Sequence, residues 1–316
     1  MKGALRMKNL AVLLAGGALL MATPGWAQEG GQGRAIVTIL PAHEGQAAPA
    51  VTLADVKIKV SGRAASVTGW TAQRGAESRL ELVVLIDSSA RTSLGSQLED
   101  IAHFVREAPE QAKVAIGYMQ NGQAALTGPL TADATEALRG LHLPSGSAGS
   151  NGSPYFCLSD LAKNWPSSDG AARREVVMIT DGVDEYQTQF DPDDPYVQAA
   201  IADSVKAGLV VFPMYWSNRG GGGNSGNESN VGQNLLMEVS DATGGTSYWE
   251  GSGNPVSFEP FFQDLRRRLQ NQYALRFAAR LEGKPGVESL KVHVGVAGKV
   301  SAPQQVYVGR AGGDRE

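Results

Sequence analysis

The sequence predicts an α/β fold: a doubly wound, mostly parallel sheet of Rossmann-like kind, with helices on both faces and flanking β segments at both ends. Three observations predict it. Leu82-Val83-Val84-Leu85-Ile86-Asp87 and Val176-Val177-Met178-Ile179-Thr180-Asp181 are continuous apolar runs that each end in an aspartate. Runs without alternation suit strands covered by helices on both sides, and such sheets bind ligands beyond the carboxyl ends of their strands. In the stretch between the two runs, Leu94, Leu98, Ile101, Phe104 and Val105 recur at helical spacing, the stripe of an amphipathic helix. At both chain ends, short strand-like segments broken by turns replace this pattern.

Taken in order, Lys2, Arg6 and Lys8 precede an apolar run from Leu10 to Ala22 and then Thr23-Pro24-Gly25-Trp26-Ala27. A basic start, a core too short to span a bilayer and a small-x-Ala site read as a signal peptide over residues 1–27. Export to periplasm or medium is therefore expected, with no membrane span in the mature chain. Residues 34–75 form an N-terminal β segment, in which Val56-Lys57-Ile58-Lys59-Val60 alternates as a half-buried strand does. The central domain covers 79–270. After Asp87 the pattern predicts a helix over 93–108, a strand pair at 113–119 and 123–126, a short helix over 132–141 and a helix over 156–165. Following Asp181, Asp194-Pro195 reads as an N-cap and first helical residue opening a helix to Ala207. Leu209 to Trp216 is another apolar strand, and Asn234 to Thr243 and Phe258 to Gln272 are helical. Arg219 to Val231 holds five glycines and three asparagines and reads as a surface insertion, since neither a P-loop nor a Rossmann fingerprint fits it. A C-terminal β segment over 273–309 is expected to pack beside the N-terminal one.

Composition narrows the function. The formal net charge is −4, and cleavage of the leader removes three basic residues. The cluster Arg266-Arg267-Arg268 sits on a predicted helix and reads as a solvated stripe, so nucleic acid, which needs a basic face, is not an expected partner. A single cysteine, Cys157, permits no internal disulfide; as a small apolar residue at a helix start it reads as core.

The chemistry concentrates at the two strand ends. Asp87-Ser88-Ser89 offers a carboxylate and a hydroxyl two residues apart, Asp181 adds a second carboxylate, and Ser153, opening a helix after a flexible loop, adds another hydroxyl. Hard oxygen donors of this kind suit Mg²⁺ or Mn²⁺. Each residue also has a plainer role: Asp87 and Ser153 as helix caps, Asp181 as part of a turn with Gly182. The acidic stretch Asp184, Glu185, Asp191, Asp193 and Asp194 lacks the order of a Ca²⁺ loop and reads as a solvated loop containing one N-cap.

These motifs resemble the von Willebrand factor A (VWA) domain family over residues 79–270, and with the flanks the chain is similar to bacterial exported VWFA-related proteins. The apolar strand ending in Asp87-x-Ser89, the later Ser153 where the family has threonine, and Ile179-Thr180-Asp181-Gly182 match the family's metal-ion-dependent adhesion site. The resemblance implies a metal held by Asp87, Ser89, Ser153 and Asp181, a protein partner supplying an acidic side chain to it, and binding rather than catalysis. Arg91 departs from the pattern, standing where a second serine belongs. A guanidinium about 5 Å from a divalent ion costs roughly 6 kcal/mol at an effective dielectric near 20. Arg91 therefore either turns into solvent or replaces the metal by pairing with Asp87 and Asp181. Two alternatives follow: a metal-free scaffold with Arg91 in the metal position, and an exported hydrolase using Ser88 or Ser89 with His142. Against the second, the four histidines are scattered and no G-x-S-x-G or H-E-x-x-H motif occurs.

Overall fold

The computed structural model describes residues 30–75, 78–184, 186, 189–218, 225–251, 253–281 and 283–310. The expected signal peptide and the glycines at 220–223 lie outside the described residues.

Five strands build the central sheet: β4 (Leu80–Asp87), β5 (Lys113–Gln120), β6 (Gln123–Leu126), β7 (Arg173–Thr180) and β8 (Leu209–Tyr215). Their order is β6-β5-β4-β7-β8; β4 pairs in parallel with β5 and β7, and β7 with β8, while β6 turns back antiparallel at the edge. The chain thus leaves β4 towards one edge and returns to β7 on the other side. That reversal makes the gap between β4 and β7 a topological switch point, where doubly wound sheets open a crevice.

The continuous apolar runs are explained by their two-sided burial. Leu82, Val84 and Ile86 face a core shared with α1 (Leu98–Arg106), α2 (Ala134–Leu138) and α6 (Glu259–Leu269). Val83 and Leu85 face the opposite core, with α3 (Pro154–Lys163), α4 (Pro195–Ala207) and α5 (Ser225–Thr243). Every residue of β4 is buried.

The predicted helix over 93–108 is a 3₁₀ turn over Thr92–Gln97 followed by α1. The larger difference is α5. Residues 225–231, expected in a glycine-rich surface insertion, belong to the helix. The helix follows from the packing of its first half: Val231, Leu235 and Leu236 are buried in the second core, and the Tyr215 hydroxyl bonds Ser229 at 2.8 Å.

The flanking segments pack together, as expected, and go further: they interleave in one antiparallel sheet of β1 (Gly30–Leu40), β2 (Val56–Val60), β3 (Arg63–Ala72), β9 (Gln272–Arg280), β10 (Gly286–Val294), β11 (Lys299–Ser301) and β12 (Gln305–Arg310). The order β1-β12-β10-β2-β3-β9 closes on itself through β1–β9 pairing. Closure removes the exposed edges that would otherwise template aggregation. The closed sheet has its own core, including Val37, Ile39, Ile58, Leu275, Phe277 and Val308.

A buried polar network joins the two units. Arg173, at the start of β7, is 3% exposed; its guanidinium pairs with Glu175 at 3.4 Å, and donates to the Leu269 carbonyl at 3.0 Å, to the Gln272 side chain and to Ser78 Oγ at 3.2 Å. Gln272 begins β9, so the charge links the central sheet to the closed one. Glu175 is fully buried, which raises its pKa, with Arg173 pulling the other way. Removing one partner of such a pair strands the other charge, at a cost of about 3–5 kcal/mol. We expect Arg173→Ala to lower the urea midpoint by that equivalent, and Arg173→Met with Glu175→Leu to recover most of it.

Candidate functional site

The site is built at the carboxyl ends of β4, β7 and β8. Asp87 closes β4 and is 3% exposed. Its Oδ1 accepts from the Ser89 amide at 2.8 Å and the Ser89 hydroxyl at 2.6 Å. Its Oδ2 accepts from the Thr180 hydroxyl at 2.7 Å and from the Asn218 amide nitrogen at 3.3 Å. Because Ile86 lies opposite Ile179 in the parallel register, the next residues along, Asp87 and Thr180, become neighbours at the strand ends.

Asp181 follows β7 in a tight turn. Its Oδ1 accepts from the Val183 amide at 3.1 Å, and Gly182 takes a left-handed φ of 67°. A Cβ on Gly182 would meet the Gly232 carbonyl at 2.7 Å, and one on Gly232 would meet the Asp181 carbonyl at 2.0 Å. Two glycines therefore allow α5 to lie directly against the Asp181 turn.

Ser153 caps α3, accepting from the Tyr155 amide at 3.3 Å. Tyr155, fully buried, donates its hydroxyl to the Gly182 carbonyl at 2.7 Å. Burial, then the charges of Asp181, Asp184, Asp194 and Glu238, pushes its pKa well up, so the phenol stays a donor. The start of α3 is thereby tied to the Asp181 turn, while Ser153 Oγ itself is engaged as a cap. Direct hydrogen bonds unite Asp87, Ser89, Thr180 and Asn218; Ser153 and Asp181 reach this group through the backbone and Tyr155.

Arg91 does not fill the metal position. It is exposed and its Nε donates to the Asn218 carbonyl at 2.6 Å. The group lying over the aspartate is the Asn218 side chain, whose Nδ2 bridges Asp87 Oδ2 and Ser89 Oγ, the latter at 2.7 Å. Asn218 Oδ1 is buried with no hydrogen-bond partner. An amide turned over exchanges donor for acceptor at nearly the same shape. Turned over, Oδ1 would face two oxygens, an arrangement that a cation stabilises. With the amide turned, the donors would all be hard oxygen, the kind that Mg²⁺ or Mn²⁺ takes; as it stands the Asn218 nitrogen faces Asp87 and Ser89. Among the described residues no three His, Cys, Asp or Glu side chains come together as a metal cluster, so hydroxyls and the amide must supply part of any shell.

Other expected features find their places. Asp194 caps α4 through Tyr196 and Val197 amides, but Asp184 is buried and holds the Tyr186 amide at 3.0 Å rather than lying in a solvated loop. Cys157 is buried, and burial followed by the charges of Asp87 and Asp160 pushes its thiol up to about 12. His142 stacks on Tyr118 with 4.2 Å between ring centroids, its Nδ1 against the Leu143 carbonyl. Arg266 is paired to Glu107 and Glu259, and Arg267 and Arg268 to Asp264, so the arginine triplet is not a free basic stripe. No described helix is long and apolar enough to cross a membrane.

By its strand order and its two strand-end aspartates, the central unit is VWA-like. No family model and no curated protein matches the chain. Solved structures similar to it include an aerotolerance-related membrane protein from Bacteroides fragilis, 17% identical over 60% of this chain and 98% of that one, with a TM-score of 0.42. The SpRpn10 VWA domain is 11% identical over 59% of this chain and 93% of that one, at 0.39. Proximal thread matrix protein 1 from the mussel byssus, with a zinc-occupied MIDAS motif, is 12% identical over 64% and 48%, at 0.43. Likenesses this distant carry no functional argument, which rests on the site itself.

Thr180 was hidden inside an apolar run, yet its hydroxyl holds a buried carboxylate. We expect Thr180→Val to destabilise the protein by about 1.5–3 kcal/mol, the range for hydrogen bonds to charged groups, measurable by urea denaturation.

Proposed function

We propose that the chain is an exported, non-enzymatic, adhesion-type binding protein that takes Mg²⁺ or Mn²⁺ at Asp87, Ser89 and Asp181, with Ser153 at the edge of the site. Asp87 and Ser89 hold the ion in this reading, Asp181 balances its charge from the neighbouring strand, and an acidic side chain of a protein partner completes its shell. The ion's contribution is a fixed positive charge that recognises a carboxylate. The observation that carries the proposal is the Asn218 amide, which bridges Asp87 and Ser89 while its own oxygen lies buried and unpartnered.

Calorimetric titration of the EDTA-treated protein with Mg²⁺ and Mn²⁺ tests this. Binding at about 1 mM or tighter, abolished in Asp181→Ala, is expected, and Arg91→Ser is expected to strengthen it by removing a nearby positive charge. Absence of binding in the native protein would leave a metal-free scaffold whose contacts are made by its loops.

A further inference from the structure

The seam between the closed sheet and the central unit contains a cavity of about 70 Å³. It lies at the starts of β7 and β8, the opposite end of those strands from Asp181. Arg34 on β1 and Arg276 on β9 both line it, with Gly208, Thr243 and Gln305. The two arginines are direct cross-strand partners in the β1–β9 register. Both residues are exposed; like charges facing each other across an antiparallel pair destabilise it, and a negative group between them would relieve that repulsion.

Each protein group nearby leaves that need unmet. The Arg34 guanidinium donates to the Gly170 carbonyl and lies against Gly208, where a Cβ would meet Nη2 at 3.2 Å. Gly208 closes α4 with a φ of 70°, so one guanidinium rests near the negative end of a helix. The Arg276 side chain makes no hydrogen bond or ion pair with another described residue. A third guanidinium, Arg174, stacks on Trp165 at 5.7 Å, donates to the Ser167 carbonyl at 3.1 Å and keeps a buried Nε without a partner. Burial, then the charges of Arg174 and Arg276, lowers the Arg34 pKa; Asp169 alone opposes them, and it is already 3.9 Å from Arg79. Arg174 is drawn to Glu81 as well as to Asp169, which leaves Asp169 as the carboxylate acting on Arg34.

We infer that this seam binds a small oxyanion between Arg34 and Arg276, and that the ion fastens the closed sheet to the central unit. Guanidinium forks match the paired oxygens of phosphate, sulfate or a carboxylate. The cavity exceeds the roughly 10–15 Å³ that one water needs, and falls far below the about 300 Å³ of pockets for larger organic ligands. The inference goes beyond the proposed adhesion site and stands without it.

Thermal denaturation in EDTA, where no metal at Asp87 can recruit the anion, tests it with phosphate, sulfate and acetate against chloride at matched ionic strength. A saturable rise of about 3 °C at tenfold the dissociation constant is expected for at least one oxyanion, lost in Arg276→Gln and retained in part in Arg276→Lys. Acetate acting as well as phosphate would mark a carboxylate group as sufficient. Direct calorimetric titration of the native protein with the same anions gives a second readout that does not depend on the variants. No rise above chloride, or an equal rise in Arg276→Gln, would overturn the inference.

Discussion

The parallel register of β4 against β7 is the constraint on which the rest of the structure depends. Pairing Ile86 with Ile179 brings Asp87 beside Thr180 and places Asp181 just past the end of the neighbouring strand. The chain reverses its winding direction between these strands, so no crossover helix covers the gap beside Asp87 and the Asp181 turn. Burial of alternate faces in two separate cores specifies the register strongly, because a slip of one residue would exchange the faces of every side chain. The position of the site is therefore set by the cores and not by the site's own residues.

Around that point the protein spends local interactions on keeping polar atoms satisfied in a dry setting. Asp87 accepts from four donors, which stabilises its buried charge. Asn218 is held from behind: Arg91 binds its carbonyl, and the preceding Ser217 is bracketed by the Asn254 side chain at 2.5 Å and 3.2 Å. Arg91, which departs from the adhesion pattern, thus binds the Asn218 backbone. At the opposite end of the sheet, Arg173 and its partners bind the closed sheet to the central one, so that the two chain ends, far apart in sequence, form one unit against it.

Much of this was legible in the sequence because it rests on local pattern. The runs into Asp87 and Asp181 suit strands buried on both faces, and Asp194-Pro195 and Ser153-Pro154 announce helix starts through capping chemistry. The closed sheet was not legible: alternation in Val56–Val60 shows a half-buried strand, but pairing of β1 with β9 is a contact across more than 230 positions, for which period and propensity carry no signal. The start of α5 was missed because Gly226 and Asn227 disfavour helix, and tertiary packing of Val231 and the Gly232–Asp181 contact outweighs that preference. Asn218 could not have been found either. It follows a strand, precedes a glycine run, and gains its role only from the distance to Asp87 in space.

The account's central claim is tested most directly by a crystal of the full mature chain grown with Mn²⁺ and measured for anomalous scattering at the manganese edge. A peak is predicted at about 2 Å from oxygens of Asp87 and Ser89, the bonding distance of a small hard cation, with the Asn218 amide turned so that its oxygen faces the ion. A crystal without such a peak, in which the Asn218 nitrogen still bridges Asp87 and Ser89, would contradict the claim.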